Sequence, residues 1–252
     1  SVGLRYALST GVSYVDHLDG YLPEVVSDGV RRRLEAGEYV PLEEMLQSVV
    51  GRKMRAMAAH TRSSDTWVIP TLYLWENLYR PLDTDSMLAM EEMSFVPFDL
   101  RRSWVDQARG RAPETPETAE LLAEVRRRIF RALVMSGAGV LSGTYSPQLF
   151  NVPGFSLRHE LKSMESAGLT PYEVLVATTR NAAEYAQREL LEQGNFGLVA
   201  EGNRADLILL RGNPLESLDS LWEQDGVMVR GRWISAEEIQ GRLARIAERN
   251  GG

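Results

Sequence analysis

The 252-residue sequence contains no cysteine. That excludes disulfides, thiolate zinc sites and cysteine nucleophiles, and it leaves the redox compartment open. Histidine is scarce as well: His17, His60 and His159 are the only three. No apolar run approaches membrane-spanning length and no signal-peptide pattern is seen. The expectation is therefore a soluble chain with no membrane partner, its compartment undetermined. No basic run is longer than Arg31-Arg32-Arg33 or Arg126-Arg127-Arg128, against a net charge of −7 and a pI of about 5.2. Both triplets sit among acidic residues in helical patterns and read as solvated helix faces, so a nucleic-acid partner is not expected. G-x-S-x-G elbows and Walker loops are missing too. Gly137, Gly139 and Gly143 come before a strand instead of between strand and helix, and their last spacing is wrong, which argues against a dinucleotide site. His159-Glu160 lacks the second histidine of a zinc-protease helix, because Ser163 stands there.

What is present is ordinary globular material, 44% hydrophobic and 25% charged, enough for one or two domains. Helix and strand signals alternate over the first three-quarters of the chain. Residues 2–10 read as the end of a helix stopped by Gly11, and residues 12–18 (VSYVDHL) as a strand delivering Asp16 and His17 at its end. Residues 30–60 carry one helical stripe of Met45, Val49, Val50, Met54, Met57 and Ala58. A second strand is WVIPTL, 67–72, with Pro70 near its end. Residues 73–112, rich in Met and aromatics, fit short helices joined by Pro81 and Pro97. Their apolar groups are either ordinary core or the lining of a substrate pocket.

Thr115 and Pro116 start a long helix that Gly137 ends. A third strand, 139–141, then leads into the turn Ser142-Gly143-Thr144 and presents Tyr145. Ser156 is expected to cap the next helix. Thr170-Pro171-Tyr172-Glu173 is a capping box, and Asn181 and Glu184 repeat its spacing. From Gly194 the texture changes to short strands at 196–199, 206–210, 227–229 and 233–234, followed by a polar helix from Ala236 to Asn250. The predicted domains are a partial β/α barrel over 1–193 and a small β module with its helix over 194–252. Three parallel strands leave an edge and a face open. The chain alone is thus expected to self-associate, with a homo-oligomer among the outcomes.

Of the histidines, His17 stands out because it ends a strand, where barrel enzymes keep their chemistry. A neutral imidazole there binds a divalent metal or serves as a hydrogen-bonded structural group. His60 and His159 read as surface or packing residues in helices.

The runs AGLTPYEVLVATTRNAAEY, NFGLVAEGNRADLILLRGNPLESL and GVMVRGRWI closely resemble the C-terminal part of the metal-dependent amidohydrolase superfamily, nearest its imidazolonepropionase- and prolidase-like branch. SYVDHLDGYL, WVIPTL and GVLSGT followed by PGFSLRHEL resemble that branch's sixth, seventh and eighth barrel strands. The resemblance implies an α/β fold: the C-terminal portion, about strands six to eight, of a TIM-type (β/α)8 barrel, with a small β-sandwich module. It implies one or two divalent metals, usually zinc, that activate water against an amide, ester or dipeptide-like small-molecule substrate. His17 matches the family's sixth-strand metal ligand. The first five strands and their ligands are not in this sequence, and the fifth-strand histidine would fall just upstream of Ser1. They would come from the missing N-terminal half of the barrel or from a complementing chain; the opening Ser-Val-Gly reads as cut from a longer polypeptide. Where the family has Gly-Thr-Asp on its eighth strand, the sequence reads Gly143-Thr144-Tyr145, so Tyr145 occupies the position of the catalytic Asp. A carboxylate is ionised at neutral pH, whereas a phenol, with a pKa of about 10, is not. The resemblance therefore leaves two readings, an incomplete hydrolase or a non-catalytic binding protein, scaffold or inactive fragment that has lost the metal site.

Overall fold

The structure is a computed structural model and describes residues 3–192 and 194–251. The expected helix start at Val2 and the domain boundary at residue 193 lie outside the described residues. In chain order the elements begin with α1 (Leu4–Ser9), β1 (Tyr14–Asp16), α2 (Leu22–Val25), α3 (Asp28–Glu35), α4 (Leu42–Gln47), α5 (Gly51–Ser63), β2 (Trp67–Ile69) and α6 (Leu72–Tyr79). They continue with α7 (Thr84–Leu88), a 3-10 turn at Glu91–Phe95, α8 (Phe98–Gly110), α9 (Pro116–Ser136), α10 (Phe155–Ser166), α11 (Pro171–Thr178) and α12 (Arg180–Glu189). The chain then forms β3 (Leu207–Leu210), a 3-10 turn at Leu218–Trp222, β4 (Gln224–Val229), β5 (Arg232–Ser235) and α13 (Ala236–Arg249). It divides into two units, Ser1–Pro81 with Pro113–Thr144 and Ser166–Gly168, and Leu82–Ala112 with Tyr145–Glu165 and Leu169–Gly252.

In the first unit β1 and β2 pair in parallel, Val15 opposite Val68. The expected third strand is reduced to a single parallel bridge, Val68 to Val140, with Val68 N donating to Gly139 O and Leu141 N donating to Val68 O. Two glycines let it come that close. A Cβ on Gly139 would lie 2.6 Å from the Trp67 ring, and one on Gly143 would lie 2.5 Å from Ile69 Cγ2. Strand β2 and the bridged segment are buried through Trp67, Val68 and Val140, as expected for strands joined by helical crossovers, whereas β1 is exposed at Tyr14. Helices α5 and α9 supply the rest of this core through Met57, Ala58, Ile129, Phe130 and Leu133.

Helix α9 starts as the sequence predicts. Thr115 accepts from the Thr118 N–H, Pro116 takes the first turn, and Gly137 closes the helix at φ +79°. The single stripe expected over 30–60 is instead three helices. Gly37, with φ +77°, ends the first, Pro41 precedes the second, and Val49 leaves helical geometry to bridge Val26 antiparallel.

The second unit contains the antiparallel sheet β3-β4-β5. Thr170 and Glu173 form the predicted capping box of α11. Three local expectations fail here. Residues 196–199 form no strand, because Gly194 and Gly197 take left-handed φ values and Gly197 is pressed against α12, where a Cβ would lie 2.5 Å from that of Ala183. Helix α12 starts at Arg180, so Asn181 and Glu184 lie inside it and form no capping box; the hydroxyl of Thr179, at the N-cap, donates backwards to Leu175 O. Helix α10 begins at Phe155, so Ser156 lies inside it and is buried. Of the Met and aromatic groups of 82–112, Met87, Met93 and Trp104 are buried core and Phe98 is exposed; Trp104 packs edge-on against Phe150 and Phe95 stacks on Phe155.

Candidate functional site

The side chains with the most specific chemistry gather at the C-terminal ends of β1 and β2. His17 follows β1 directly, and its backbone N–H still bonds Ile69 O at 2.9 Å. There the chain leaves the sheet through left-handed geometry, with φ +68° at His17 and +62° at Leu18. Thr71, just past Pro70 at the end of β2, is left-handed too, at φ +44°. Backbone of this kind is uncommon outside glycine and is an outlier for a β-branched residue.

The His17 ring is nearly enclosed. Nδ1 lies 2.6 Å from the Thr71 hydroxyl and 3.2 Å from Asp16 Oδ1. The same Asp16 oxygen accepts the His17 backbone N–H at 2.9 Å. Burial pushes the Asp16 carboxyl above its ordinary range; the His17 charge and the backbone hydrogen bond oppose this, and nearby Asp19 adds to it. Trp75, on α6, meets the imidazole edge-on with ring centres 5.6 Å apart, and Tyr79 stacks on Trp75 from one turn further along. Arg126, on α9, lies 4.8 Å over the Trp75 ring and bonds Asp19 at 3.0 Å. Reading the Arg126 triplet as a solvated face is therefore wrong for its first member, which is buried. The long guanidinium stem runs inward across α9 because Trp75 and Asp19 offer it both a π face and a counter-charge.

Tyr145 belongs to the second unit. It follows the Ser142–Thr144 turn at φ +52° and is 59% exposed. His60 lies on α5. His159, on α10, bonds the Glu92 carboxylate at 2.8 Å through Nε2.

Sequence reasoning found His17 and Asp16 from their place at a strand end. It counted Trp75 only among the apolar groups of 73–112, and it did not single out Thr71 or Arg126. Nothing in the local sequence marks Thr71 as left-handed, and Arg126 cannot be told from Arg127 and Arg128 without knowing which face of α9 turns inward.

The matched family model is that of the amidohydrolase family, over residues 77–234. The chain belongs to the amidohydrolase family. Among solved structures it is similar to a bottromycin amidohydrolase, at 25% identity and a TM-score of 0.68 over 99% of this chain and 51% of that one. It is also similar in fold to A. niger ochratoxinase, at 17% identity and a TM-score of 0.50 over 92% of this chain and 38% of that one. No curated protein matches it. The chain thus spans about half the length of the bottromycin amidohydrolase. Its fold is α/β with few strands, part of a TIM-barrel-type domain.

A family of this kind generally uses metal. His17 is suited to be one nitrogen ligand, since its ring sits at a strand end with hydroxyl and carboxylate oxygens against Nδ1. A complete set is another matter. Among the described residues, no group of three or more His, Asp or Glu side chains is placed to hold an ion, and a zinc site takes at least three protein ligands. The described residues by themselves do not supply a whole metal centre. No helix among the described residues is long and apolar enough to cross a membrane.

Proposed function

We infer that this chain forms part of a hydrolase that cleaves C–N bonds, amide or peptide-like, in small molecules through a metal-activated water. Dipeptide-like compounds belong to this substrate class, and esters, cleaved at C–O by the same attack of water on an acyl carbon, are related to it. In this reading β1, β2 and the Gly139–Leu141 segment correspond to the sixth, seventh and eighth strands of the barrel. Residues 1–193 are its partial barrel, and 194–252 are a small β module of the sandwich type.

His17 contributes one ligand nitrogen, and the remaining ligands come from residues outside this sequence, in the N-terminal half of the barrel or a complementing chain. Divalent zinc, one ion or two, is the metal such donors favour. Bound there, it would supply a nucleophilic water at neutral pH. The observation that carries the reading is the His17 ring fixed at the C-terminal end of a parallel strand in a chain of this family. Elemental analysis of the complete assembly tests it. Stoichiometric zinc, lost in His17→Gln, is expected; an assembly without bound metal would sink the reading.

Tyr145 supports a second reading, in which the assembly keeps the fold as a binding or scaffold protein and has lost the chemistry. At the position of the family's Asp, a tyrosine offers a neutral phenol where an ionised carboxylate would serve as ligand and base. Tyr145→Asp separates the two. A gain in hydrolysis of amide or dipeptide-like substrates by at least about a hundredfold, the lower end of what a general base contributes, is expected if the chemistry was lost at this position. Equal rates from the unmodified assembly and the Asp variant would remove this second reading.

A further inference from the structure

The residue that decides how the His17 imidazole is presented is Thr71, which makes two locally unfavourable choices to reach it. First, it stands at the N-cap of α6, where a threonine hydroxyl ordinarily accepts an N–H of the first turn; here it makes no such bond. Second, its backbone is left-handed, at φ +44° and ψ +49°, a conformation that a β-branched residue adopts only when its surroundings enforce it. The hydroxyl, freed from capping and turned by that backbone, instead lies 2.6 Å from His17 Nδ1 in a buried setting. Asp16 Oδ1 lies 3.2 Å from the same nitrogen.

The carboxylate oxygen repels a lone pair at Nδ1 and welcomes a proton there, and the hydroxyl, which can donate or accept, then accepts from that proton. The Trp75 ring walls the imidazole from the side. The geometry points to Thr71 as a positioning residue that, with Asp16, holds the neutral His17 ring in the Nδ1–H tautomer, in which the ring lone pair is on Nε2. Outer oxygens act on metal-binding imidazoles in this way, and the purpose assigned here rests on the functional reading of His17 given above. The tautomer itself is a property of the metal-free chain.

Nitrogen-15 NMR of the labelled, metal-free chain at about pH 8, where histidine rings are neutral, reads it directly. The His17 signals are those lost in His17→Gln. The unmodified chain and Thr71→Ser, which keeps the hydroxyl, are expected to show a protonated Nδ1 and an unprotonated Nε2. In Thr71→Val and Thr71→Gly the tautomer ratio falls by roughly fivefold, the weight of one net hydrogen bond. Glycine adopts the left-handed backbone without strain, so Thr71→Gly reports on the hydroxyl even where Thr71→Val does not fold. A protonated Nε2 in the unmodified chain overturns the proposal, as does an unchanged ratio in Thr71→Gly. Because no metal is present, a fixed tautomer in a chain whose assembly binds no zinc would leave this inference standing and remove the functional reading alone.

Discussion

At Glu92 the hydrogen bond from His159 holds the carboxyl below its ordinary range; partial burial works against this, and the charges of His159 and Arg158 add to it. The sign of the pH dependence follows. A carboxyl whose folded pKa lies below its unfolded value contributes stability that is present above the unfolded value and disappears as pH falls through the folded one. Urea denaturation of the unmodified chain and Glu92→Gln should therefore differ at about pH 6 and converge towards about pH 3. A gap that stays constant over that interval would mean that packing, not charge, holds His159. The same scale shows what a sequence can and cannot reveal about single residues. His17 was legible because a strand end is a position in the chain. Thr71 was not, because its importance lies in a backbone angle and in a neighbour 54 residues away. Arg126 was misread because burial on α9 depends on Trp75 and Asp19, which reach it only through tertiary packing.

Among the elements, helix ends were the most legible feature. The caps at Thr115 and Thr170 are local chemistry: a hydroxyl, a proline and a glutamate within four residues decide them. The local signals failed at Ser156, Asn181 and residues 196–199, and at Gly197 it was a neighbouring element that overrode them, Ala183 of α12. The third parallel segment lies between these cases. Its place beside β2 was readable, but its shrinkage to one bridge was not. What keeps it there is the absence of two side chains. Gly143→Ala would set a methyl 2.5 Å from Ile69 Cγ2, a distance that forces either the segment or β2 to move. Overpacking of this sort typically costs about 1–3 kcal/mol. A denaturation midpoint for Gly143→Ala equal to that of the unmodified chain would show that the segment is not seated against β2.

For the whole molecule, the sheet of the second unit raises a question of cover. Among the described residues, strand β3 pairs on one side only, with β4. Ile208 and Leu209, neighbours whose side chains point to opposite faces of a strand, are each 54% exposed. Both faces of this edge strand therefore present aliphatic surface, next to a row of backbone groups that can pair with another chain. Natural proteins rarely leave such a strand bare, and long exposed apolar edges associate. The net charge of −7 opposes association, but its reach is about 8 Å at physiological salt, too short to shield an edge once two molecules touch. The chain by itself should thus sediment with an average mass that rises with concentration, more steeply in high salt. Ile208→Lys, which puts a charge on the edge as natural edge strands do, should return it towards the monomer while leaving the denaturation midpoint within about 0.5 kcal/mol, as expected for an exposed position. A monomer at every concentration would mean that β3 needs no partner. Association that Ile208→Lys leaves untouched would move the contact elsewhere, with the open parallel sheet of the first unit next in line.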